Sequence, residues 1–386
     1  MNGGRKYMWH KGHEFDDIAS RICNKENLFI IFGAGTFGKA FVEEFGNELN
    51  ITCFVDSNKS KQGTVVCGLS VRSPDDLDPT QGEMVLVSTG WTGEVFGLLQ
   101  KKGYVKNKDF FHIDEFMTIY KMYRENLLYV SNLSINITEY CSLKCRKCAV
   151  LNPYIQNKVH LSPKEVQKSL DMYFNWVDEV SVLGLGGGDS MVHPQFNDIL
   201  ELVGKRYYGR QIHHIEVYSN AVIRPDDRSL NLFKKYDVIY RFTDYGEAAF
   251  EKQKTKEIMK ILENNGISYD HAKFEKWSDY GYPQKSNGIP KEKLREFYKS
   301  CDRRSCQGIW GTKLFYCGLA IWAQRAGYCE VVETDYVDLS RKDLDKKELM
   351  EFMLGYNERG YLEYCQKCNG GPNINQKYVV PGEQLI

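Results

Sequence analysis

Three closely spaced cysteines are the strongest chemical signal in this chain. Cys141, Cys145 and Cys148 follow the apolar run LSINIT (residues 133–138) with the spacing C-x3-C-x2-C. Three thiolates can hold three corners of a cubane [4Fe–4S] cluster, since thiolates are the usual ligands of iron–sulfur centres. The fourth iron then keeps an open position, which allows a metal centre to bind and activate a substrate. Structural zinc is the alternative, because Cys145 and Cys148 form a C-x2-C pair.

A second group of cysteines lies in the carboxy-terminal part of the chain. Its members are Cys306, Cys317, Cys365 and Cys368, spaced C-x10-C…C-x2-C. Four thiolates ligate a cluster fully, which suits electron transfer rather than substrate binding, and they also suit structural zinc. Cys301 or Cys329 could replace one of these ligands. The same two cysteines are our candidates for a catalytic thiol.

A glycine-rich turn near the amino terminus has the spacing of a phosphate-binding loop. Gly33, Gly35 and Gly38 form G-x-G-x-x-G between an apolar strand and a helix, and Asp56 ends the next strand. Such glycines admit a pyrophosphate to the helix amino terminus, and the acid can reach a ribose hydroxyl. The sequence therefore predicts a bound nucleotide here without identifying it.

The elements that must position these residues alternate between strand and helix. We predict three domains: a Rossmann-like parallel sheet over residues 1–128, a partial (β/α) barrel over residues 129–300, and a small cysteine-rich domain over residues 301–386. Ser162 predicts a helix start, because Pro163 follows it and Glu165 completes a capping box. The predicted fold class is α/β.

The C-x3-C-x2-C loop after the first strand of a βα series resembles that of the radical S-adenosylmethionine (SAM) superfamily. The resemblance implies that SAM binds the open iron through its amino and carboxylate groups. Transfer of one electron then releases methionine and a 5′-deoxyadenosyl radical, which abstracts hydrogen from the substrate. It also implies a one-electron donor such as flavodoxin or ferredoxin. Lys147 departs from the family, where the residue before the third cysteine is usually aromatic.

Two further turns resemble SAM-contacting motifs of that superfamily. Gly186, Gly187, Gly188 and Asp189 are similar to the turn that contacts the methionine amino group, with Asp in place of the usual Glu. Glycines allow close backbone approach, and a carboxylate can accept from an ammonium. A plain tight turn is the structural alternative. Ser219 and Asn220 are similar to the ribose-contacting position.

Two other segments of the chain carry resemblances of their own. The carboxy-terminal cysteines, with Gly311 between the first two, resemble the twitch module, a shortened SPASM domain that binds one auxiliary iron–sulfur cluster. IIFGAGTFGKA, FVDSNKSKQGT and GLSVRSPDDL resemble the amino-terminal domain of bacterial sugar-nucleotide acetyltransferases. That likeness favours a nucleotide-sugar over NAD, and a docking domain without a ligand is the third alternative.

Candidate substrate residues lie near the ends of the later barrel strands. We predict two loops, at residues 241–246 and 277–281, whose Arg, Asp and Tyr side chains could bind sugar hydroxyls or a phosphate. Asp244 is the candidate base in the first of them. Ordinary turn formation is the alternative for both. His193, beside Pro194, is expected to be structural.

The overall composition of the sequence limits the kinds of partner that we expect. Lys plus Arg equals Asp plus Glu at 51 each, so we expect no broad nucleic-acid surface. No apolar run reaches membrane-spanning length, and no signal peptide is evident, so we expect a cytoplasmic protein without a membrane partner. Twelve cysteines in a reducing compartment favour metal binding over disulfides.

Together these features predict an oxidoreductase acting on a sugar, polyol or nucleotide-sugar in surface-polysaccharide or related biosynthesis. The adenosyl radical would take hydrogen from a carbinol carbon, a base would take the hydroxyl proton, and the auxiliary cluster would accept the remaining electron. An epimerase with a cysteine hydrogen donor is the alternative within the superfamily. A zinc-stabilised nucleotide-binding module is the alternative from another class. A plain NAD dehydrogenase leaves the Cys141 motif unexplained.

Overall fold

The computed structural model describes residues 7–89, 92–249, 251–302 and 306–385. Within them the chain divides into two compact units, one spanning His13–Leu127 and one made of the remaining described residues. No helix in these ranges combines the length and the apolar character that crossing a bilayer requires.

The first unit is built on a mainly parallel sheet. Its strands are β1 (Leu28–Phe32), β2 (Asn50–Val55), β3 (Val65–Val66), β4 (Leu69–Arg72), β5 (Met84–Val87) and β6 (Phe110–His112). Its helices are α1 (Asp16–Ile22), α2 (Thr36–Phe45), α3 (Thr92–Lys101) and α4 (Ile113–Glu125). The strand order is β3-β4-β2-β1-β5-β6, and only the β3–β4 pairing is antiparallel.

The central strands of this sheet read as continuous apolar runs. All four residues of β5 are buried, as are four of the five in β1. A parallel sheet covered by helices on both faces requires this pattern, because neither face of a strand meets water. The chain reverses its direction of winding between β1 and β5, so their carboxyl ends border the crevice where such sheets bind ligands.

The second unit contains the remaining elements. Its strands are β7 (Tyr129–Thr138), β8 (Glu179–Gly187), β9 (Ile212–Ser219), β10 (Ile239–Asp244), β11 (Tyr269–Lys273), β12 (Trp277–Ser278), β13 (Gln307–Trp310), β14 (Lys313–Phe315), β15 (Tyr336–Asp338) and β16 (Tyr378–Val379). Its helices are α5 (Pro163–Phe174), α6 (Phe196–Arg206), α7 (Asp227–Lys235), α8 (Thr255–Asn264), α9 (Leu294–Ser300), α10 (Gly318–Arg325) and α11 (Lys346–Met353).

An eight-stranded sheet organises this unit in the order β11-β10-β9-β8-β7-β13-β14-β15. Strands β7 to β11 are parallel neighbours in sequence order, as successive βα units produce. The predicted α/β fold class is confirmed. Strand β13 pairs in parallel with β7, with Gly308 opposite Ser134, and β14 and β15 continue antiparallel. The cysteine-rich segment therefore extends the same sheet.

Local sequence signals explain where several elements begin. Helix α5 begins after Ser162, whose hydroxyl accepts from Glu165 N while the Glu165 carboxylate accepts from Ser162 N, so the predicted capping box is confirmed. The two predicted substrate loops are partly wrong. Arg241 to Asp244 lie within β10, and Trp277–Ser278 form β12, which pairs antiparallel with β16. The residues of β10 pair with β9 and β11, so they belong to the sheet rather than to a loop.

Candidate iron–sulfur and cofactor sites

The three cysteines of the C-x3-C-x2-C loop line a cavity of about 370 Å³. The loop follows the carboxyl end of strand β7, and residues at the ends of β8, β9 and β10 form much of the remaining lining. Gly187 and Gly188 come from β8 and its turn, and Ser219 and Asn220 come from β9 and its turn. The structure thus brings the predicted cysteine loop and both predicted SAM-contacting turns to one cavity.

The cavity holds the three thiols in apolar surroundings. Leu143, Cys145 and Ala249 form a buried cluster, against which the other two cysteines, Tyr245 and Trp277 pack. Burial raises the pKa of Cys141 to about 12 and that of Cys145 to about 11, and it also raises the pKa of Cys148. The nearby carboxylate and thiols reinforce the shift for Cys141.

The donor chemistry of this loop fits an iron–sulfur cluster. Thiols with raised pKa values keep their protons at neutral pH until a cation displaces them, so metal binding releases protons. Cys141 Sγ accepts from Leu143 N at 3.5 Å and from Asn220 Nδ2 at 3.3 Å. Cys145 Sγ accepts from Gln384 Nε2 at 3.3 Å. Such outer contacts orient metal ligands.

Close approach to strand β7 explains the glycine turn. Gly187 has φ +138°, and a Cβ there would lie 2.1 Å from Thr138 O. A Cβ on Gly188 would lie 2.2 Å from Tyr140 O, so no larger residue fits. Gly186 is different, because its nearest neighbour, Tyr218, would lie 3.4 Å away. Two of the three glycines are therefore required by close contact with Thr138 in β7 and with Tyr140, which precedes the cysteine loop.

Asp189 lies beneath this turn and is 1% exposed. Its carboxylate accepts from Met191 N at 2.9 Å and from Asn220 N at 3.2 Å. Burial raises its pKa to about 6, against the hydrogen bonds that lower it. Asp189 thus ties the β8 turn to the β9 turn, and it does not line the cavity. Contact with the methionine ammonium stays a prediction.

Asn220 connects the β9 turn to the cysteine loop. Besides its bond to Cys141, its Nδ2 donates to Ser142 Oγ at 3.0 Å, and its Oδ1 accepts from Val222 N at 3.0 Å. Ser219 Oγ accepts from Ala221 N at 3.1 Å. The ribose-contacting role of both residues stays a prediction.

Lys147, the position that departs from the superfamily, points away from the cavity lining. Its Nζ lies 3.1 Å from Asp279 Oδ2 and donates to Tyr282 O at 2.7 Å. Asp279 was predicted from sequence as a substrate ligand, whereas the structure makes it an ion-pair partner of the cysteine loop. Sequence reasoning missed this pair because 132 residues separate its members.

Charged and hydroxyl groups form the polar wall of the cavity. Tyr218, Arg241 and Asp270 line it, and buried Glu216 lies behind them. The Arg241 Nε is 3.1 Å from Glu216 Oε1 and 3.6 Å from Asp270 Oδ2. Tyr218 OH donates to Glu216 Oε2 at 2.8 Å. Sequence analysis singled out Arg241 but missed its partners, which occupy neighbouring strands.

Asp244, the predicted base, does not line this cavity. Its Oδ1 accepts from Gly246 N at 2.7 Å, and its Oδ2 lies 3.8 Å from His271 Nε2. His193 is buried, with Nε2 at 2.9 Å from Leu161 O and Nδ1 accepting from Gln195 N. These contacts occupy both ring nitrogens, as expected of a structural histidine.

A second, much smaller cavity of about 30 Å³ is lined by four cysteines. They are Cys301, Cys317, Cys365 and Cys368. Its other walls are mainly aromatic and aliphatic, with Tyr298, Tyr316 and Tyr364 among them. Burial raises the pKa of Cys317 and places that of Cys365 well above its usual value. Four thiols around a cavity with mainly apolar walls fit a fully ligated cluster.

The remaining candidate thiols lie outside this lining. Cys306 is close enough for its charge to raise the pKa of Cys317, yet Cys301 takes its place around the cavity. Cys329 lies among Asp335, Lys367 and Glu363, and burial raises its pKa to about 12. Neither Cys301 nor Cys329, our two candidates for a catalytic thiol, lines the first cavity.

All twelve cysteines are free of disulfides. Within residues 7–89, 92–249, 251–302 and 306–385, no three His, Cys, Asp or Glu side chains are grouped so as to hold a single metal ion.

In the first unit, the glycine loop lies after β1 as predicted. Gly33 has φ +118°, and a Cβ on Gly38 would lie 2.0 Å from Gly33 O, so helix α2 packs directly against the loop. Among the residues that the structure describes, no atom lies within 4 Å of a Cβ built on Gly35. The binding of a nucleotide at this loop stays a prediction.

Asp56 is engaged within the protein. Its Oδ2 accepts from Ala34 N at 2.9 Å and from Lys61 Nζ at 3.1 Å, and its Oδ1 accepts from Asn58 N at 2.8 Å. Although burial alone would raise its pKa, these hydrogen bonds hold it below the usual range. The acid fixes the loop, and the predicted contact with a ribose is untested.

Comparison with known families identifies the central part of the second unit. Residues 135–297 match the model of the radical SAM superfamily. This range begins inside β7 and contains the three-cysteine loop together with both turns of the cavity. The match agrees with the superfamily that the cysteine spacing predicts for this part of the chain.

One curated relative is glutamate 2,3-aminomutase of Clostridioides difficile (strain 630), 27% identical over 146 residues. The match covers 36% of this chain and 33% of the relative, so the chain spans about a third of the length of the relative it matches. Among solved structures, BtrN in complex with AdoMet and 2-DOIA is similar, with 13% identity and a TM-score of 0.42 over 62% of this chain and 93% of that one. Native anSMEcpe with bound AdoMet gives 11% identity and a TM-score of 0.41 over 65% and 93%.

Proposed function

We propose that the chain is a radical SAM dehydrogenase that oxidises a carbinol of a sugar or polyol unit, free or nucleotide-linked, in surface-polysaccharide or related biosynthesis. The observation that carries this proposal is the presence of two cysteine-lined cavities in one unit. One has three thiols beside a space large enough for a ligand, and the other has four thiols with almost no space.

The first cavity supports the binding of SAM. When bound, the clusters and SAM would supply hydrogen-atom abstraction at the first cavity and acceptance of the remaining electron at the second. The chain's own part is to hold the loop and admit the ligand. Gly187 and Gly188 bring the backbone of the β8 turn against β7, and Asn220 fixes Cys141 relative to the β9 turn.

The polar wall supports a hydroxyl-bearing substrate. Tyr218 and Asp270 line the cavity and can bond to hydroxyls, while buried Glu216 holds Arg241 in place. Oxidation of a carbinol also requires a group that takes the hydroxyl proton. Asp270 lines the cavity whereas Asp244 does not, so in this proposal the base is Asp270.

The epimerase alternative requires a thiol that faces the substrate and returns a hydrogen atom. Neither Cys301 nor Cys329 lines the first cavity, so the dehydrogenase is favoured. For the first unit we propose a nucleotide-sugar ligand at the Gly33–Gly38 loop, supported by the absence of any described atom within 4 Å of a Cβ built on Gly35. A flavodoxin or ferredoxin as electron donor, a cytoplasmic location, and the absence of nucleic-acid and membrane partners complete the proposal.

Iron content and SAM cleavage test the proposal together. Protein purified without oxygen should contain about eight irons and as many sulfides, and should release 5′-deoxyadenosine on reduction with SAM. The variant Cys141→Ala/Cys145→Ala/Cys148→Ala should lose about four irons and all cleavage. Cys67→Ser, which removes an exposed thiol of the first unit, is the matched control and should lose neither.

The outcomes separate the alternatives. About four irons with intact SAM cleavage would support the cluster at the first cavity but not the one at the second. The proposal would then change from a dehydrogenase to an epimerase. Zinc without iron would overturn the enzymatic proposal in favour of the nucleotide-binding module. A sugar product two mass units lighter than its substrate would identify the dehydrogenase, since an epimerase leaves the mass unchanged.

A further inference from the structure

The segment made of β16 and the residues after it packs against Tyr245, which lines the first cavity, and contacts the cysteine loop. Strand β16 pairs with β12, whose Trp277 lines the cavity. Gly382 then lies against Tyr245, where an added Cβ would come within 2.6 Å of the tyrosine Cβ. We name residues 378–385 the strap. Its path is fixed at both ends, by the β12–β16 pairing and by the cysteine loop.

Backbone bonds hold the end of the strap against the cysteine loop. Arg146 N donates to Glu383 O at 2.7 Å, and Leu385 N donates to Lys144 O at 2.8 Å. Cys145 and Gln384 form a β-bridge between these two bonds. The strap and the loop are therefore in fixed register, and Gln384 must face Cys145.

The side chain of Gln384 uses both ends of its amide. Its Oε1 accepts from Lys144 N at 2.9 Å, which fixes the orientation of the amide. Its Nε2 donates to Gly382 O and, at 3.3 Å, to Cys145 Sγ.

We propose that Gln384 is a positioning residue that sets the reduction potential of the cluster held by Cys141, Cys145 and Cys148, by donating a hydrogen bond to the Cys145 sulfur. The proposal rests on the cluster-binding part of the proposed function. Hydrogen bonds to ligand sulfurs withdraw electron density, which stabilises the reduced, more negative cluster and raises its potential. Gln384 thus makes the cluster easier to reduce.

Two variants separate the hydrogen bond from the packing of the strap. Gln384→Met keeps an unbranched, neutral side chain but removes the donor. Gln384→Glu retains an oxygen for Lys144 N, removes the donor, and adds a negative charge. Glu383→Gln is the control, because it alters charge on the neighbouring strap residue, whose carboxylate pairs with Arg146 at 3.4 Å and is half-exposed.

The measurement is a potentiometric titration of anaerobic protein followed by electron paramagnetic resonance, using the signal that SAM perturbs to identify the first cluster. At a fixed potential, loss of one hydrogen bond to a charged sulfur should lower the ratio of reduced to oxidised cluster roughly tenfold, equivalent to about 59 mV for a one-electron couple. Gln384→Met should shift the midpoint downwards by this amount, and Gln384→Glu further, whereas Glu383→Gln should not shift it downwards.

An unchanged midpoint in either Gln384 variant, with iron content retained, would overturn the proposal. Loss of iron from both variants would also overturn it, because Gln384 would then be needed for cluster assembly rather than for potential. If only Gln384→Met loses iron, the midpoint potential of Gln384→Glu tests the proposal: a downward shift supports it, and an unchanged midpoint overturns it. Failure of the proposed function is distinguishable from failure of this proposal. If the chain binds no cluster and no SAM, even the unmodified protein shows no paramagnetic signal that SAM perturbs.

Discussion

The two cysteine-lined cavities of the second unit differ in every property that matters for reactivity. The first has three thiols, a volume of about 370 Å³, glycine-lined walls and a polar far side. The second has four thiols, a volume of about 30 Å³ and aromatic walls. An incomplete ligand set beside free space can bind a ligand at the metal, whereas a complete set in a closed space can only exchange electrons. The number of thiols and the free volume thus support the different roles proposed for the two sites.

The largest expected effect tests which thiols close the second site. Cys301→Ala should remove about four irons and abolish product formation, while leaving SAM cleavage at the first site intact. Cys306→Ala is the matched control, and it should retain all iron because Cys306 does not line the second cavity. The measurement is iron content together with 5′-deoxyadenosine release. If only Cys306→Ala loses iron, the ligands are those predicted from spacing, with Cys306 in place of Cys301.

The next effect concerns an ion pair between fully buried Glu139 and partly exposed Arg325, which lie near Cys141 and Cys317 in the sequence. Helix α10 begins after Cys317 and ends at Arg325, whose Nε donates to Oε1 of the fully buried Glu139 at 2.6 Å, two residues before Cys141. Arg325→Met leaves the Glu139 charge without its cation, which should lower the free energy of unfolding by about 3–5 kcal/mol. Denaturant titration of anaerobic protein measures this.

An exposed pair provides the control for that experiment. Lys205 and Glu201 face each other at 2.7 Å on helix α6, one turn apart at the surface. Lys205→Met should leave the unfolding midpoint unchanged, because solvent screens such pairs. If Arg325→Met and Lys205→Met lower the free energy of unfolding equally, Arg325 contributes no more than an exposed surface residue does.

A smaller effect distinguishes the glycines of the first cavity. Gly188→Ala should destabilise the protein by about 1–3 kcal/mol, since its Cβ would meet backbone atoms that cannot move away. SAM affinity, measured by equilibrium dialysis, should fall with it. Gly186→Ala meets only a side chain at 3.4 Å and should bind SAM normally. Unchanged stability and SAM binding in Gly188→Ala would disprove the close contact between Gly188 and Tyr140 O.

The smallest effect is a dependence of stability on pH. Burial raises the pKa of Asp189 from 3.8 to about 6. The unfolded chain therefore loses this proton first, so the stabilising contribution is complete below about pH 4 and is lost as pH rises through about 6. Replacement by Asn removes this titration. Unfolding free energies should show a flatter slope over this range in Asp189→Asn than in the unmodified protein, and identical slopes would show that Asp189 ionises normally.

Local patterns made much of the second unit predictable. The capping box of α5, the bounds of β9 and the glycine turn after β8 all depend on residues close in sequence. The cysteine loop was predictable for the same reason. Its three cysteines lie within eight residues of one another, so their spacing alone suggests a shared chemistry.

Long-range pairings were not predictable from the sequence. Gln384 is 239 residues from Cys145, and no spacing rule connects an amide to a thiol over that distance. Spacing also cannot choose between Cys301 and Cys306, because only the folded structure shows that Cys301 lines the second cavity. Partners of Arg241 come from β9 and β11, and their register appears only in the folded sheet.

The contacts of the cysteine loop also determine when it can mature. The loop is encoded at residues 141–148, yet its fixed partners include Arg325, reached through Glu139, and Gln384. Strand β7, which precedes the loop, pairs on one side with β13. During synthesis the loop emerges long before these partners, so it cannot take its final shape while the ribosome is still adding them. In the proposed function, a cluster inserted at the first cavity would therefore meet the finished loop only after the chain has been synthesised as far as Gln384.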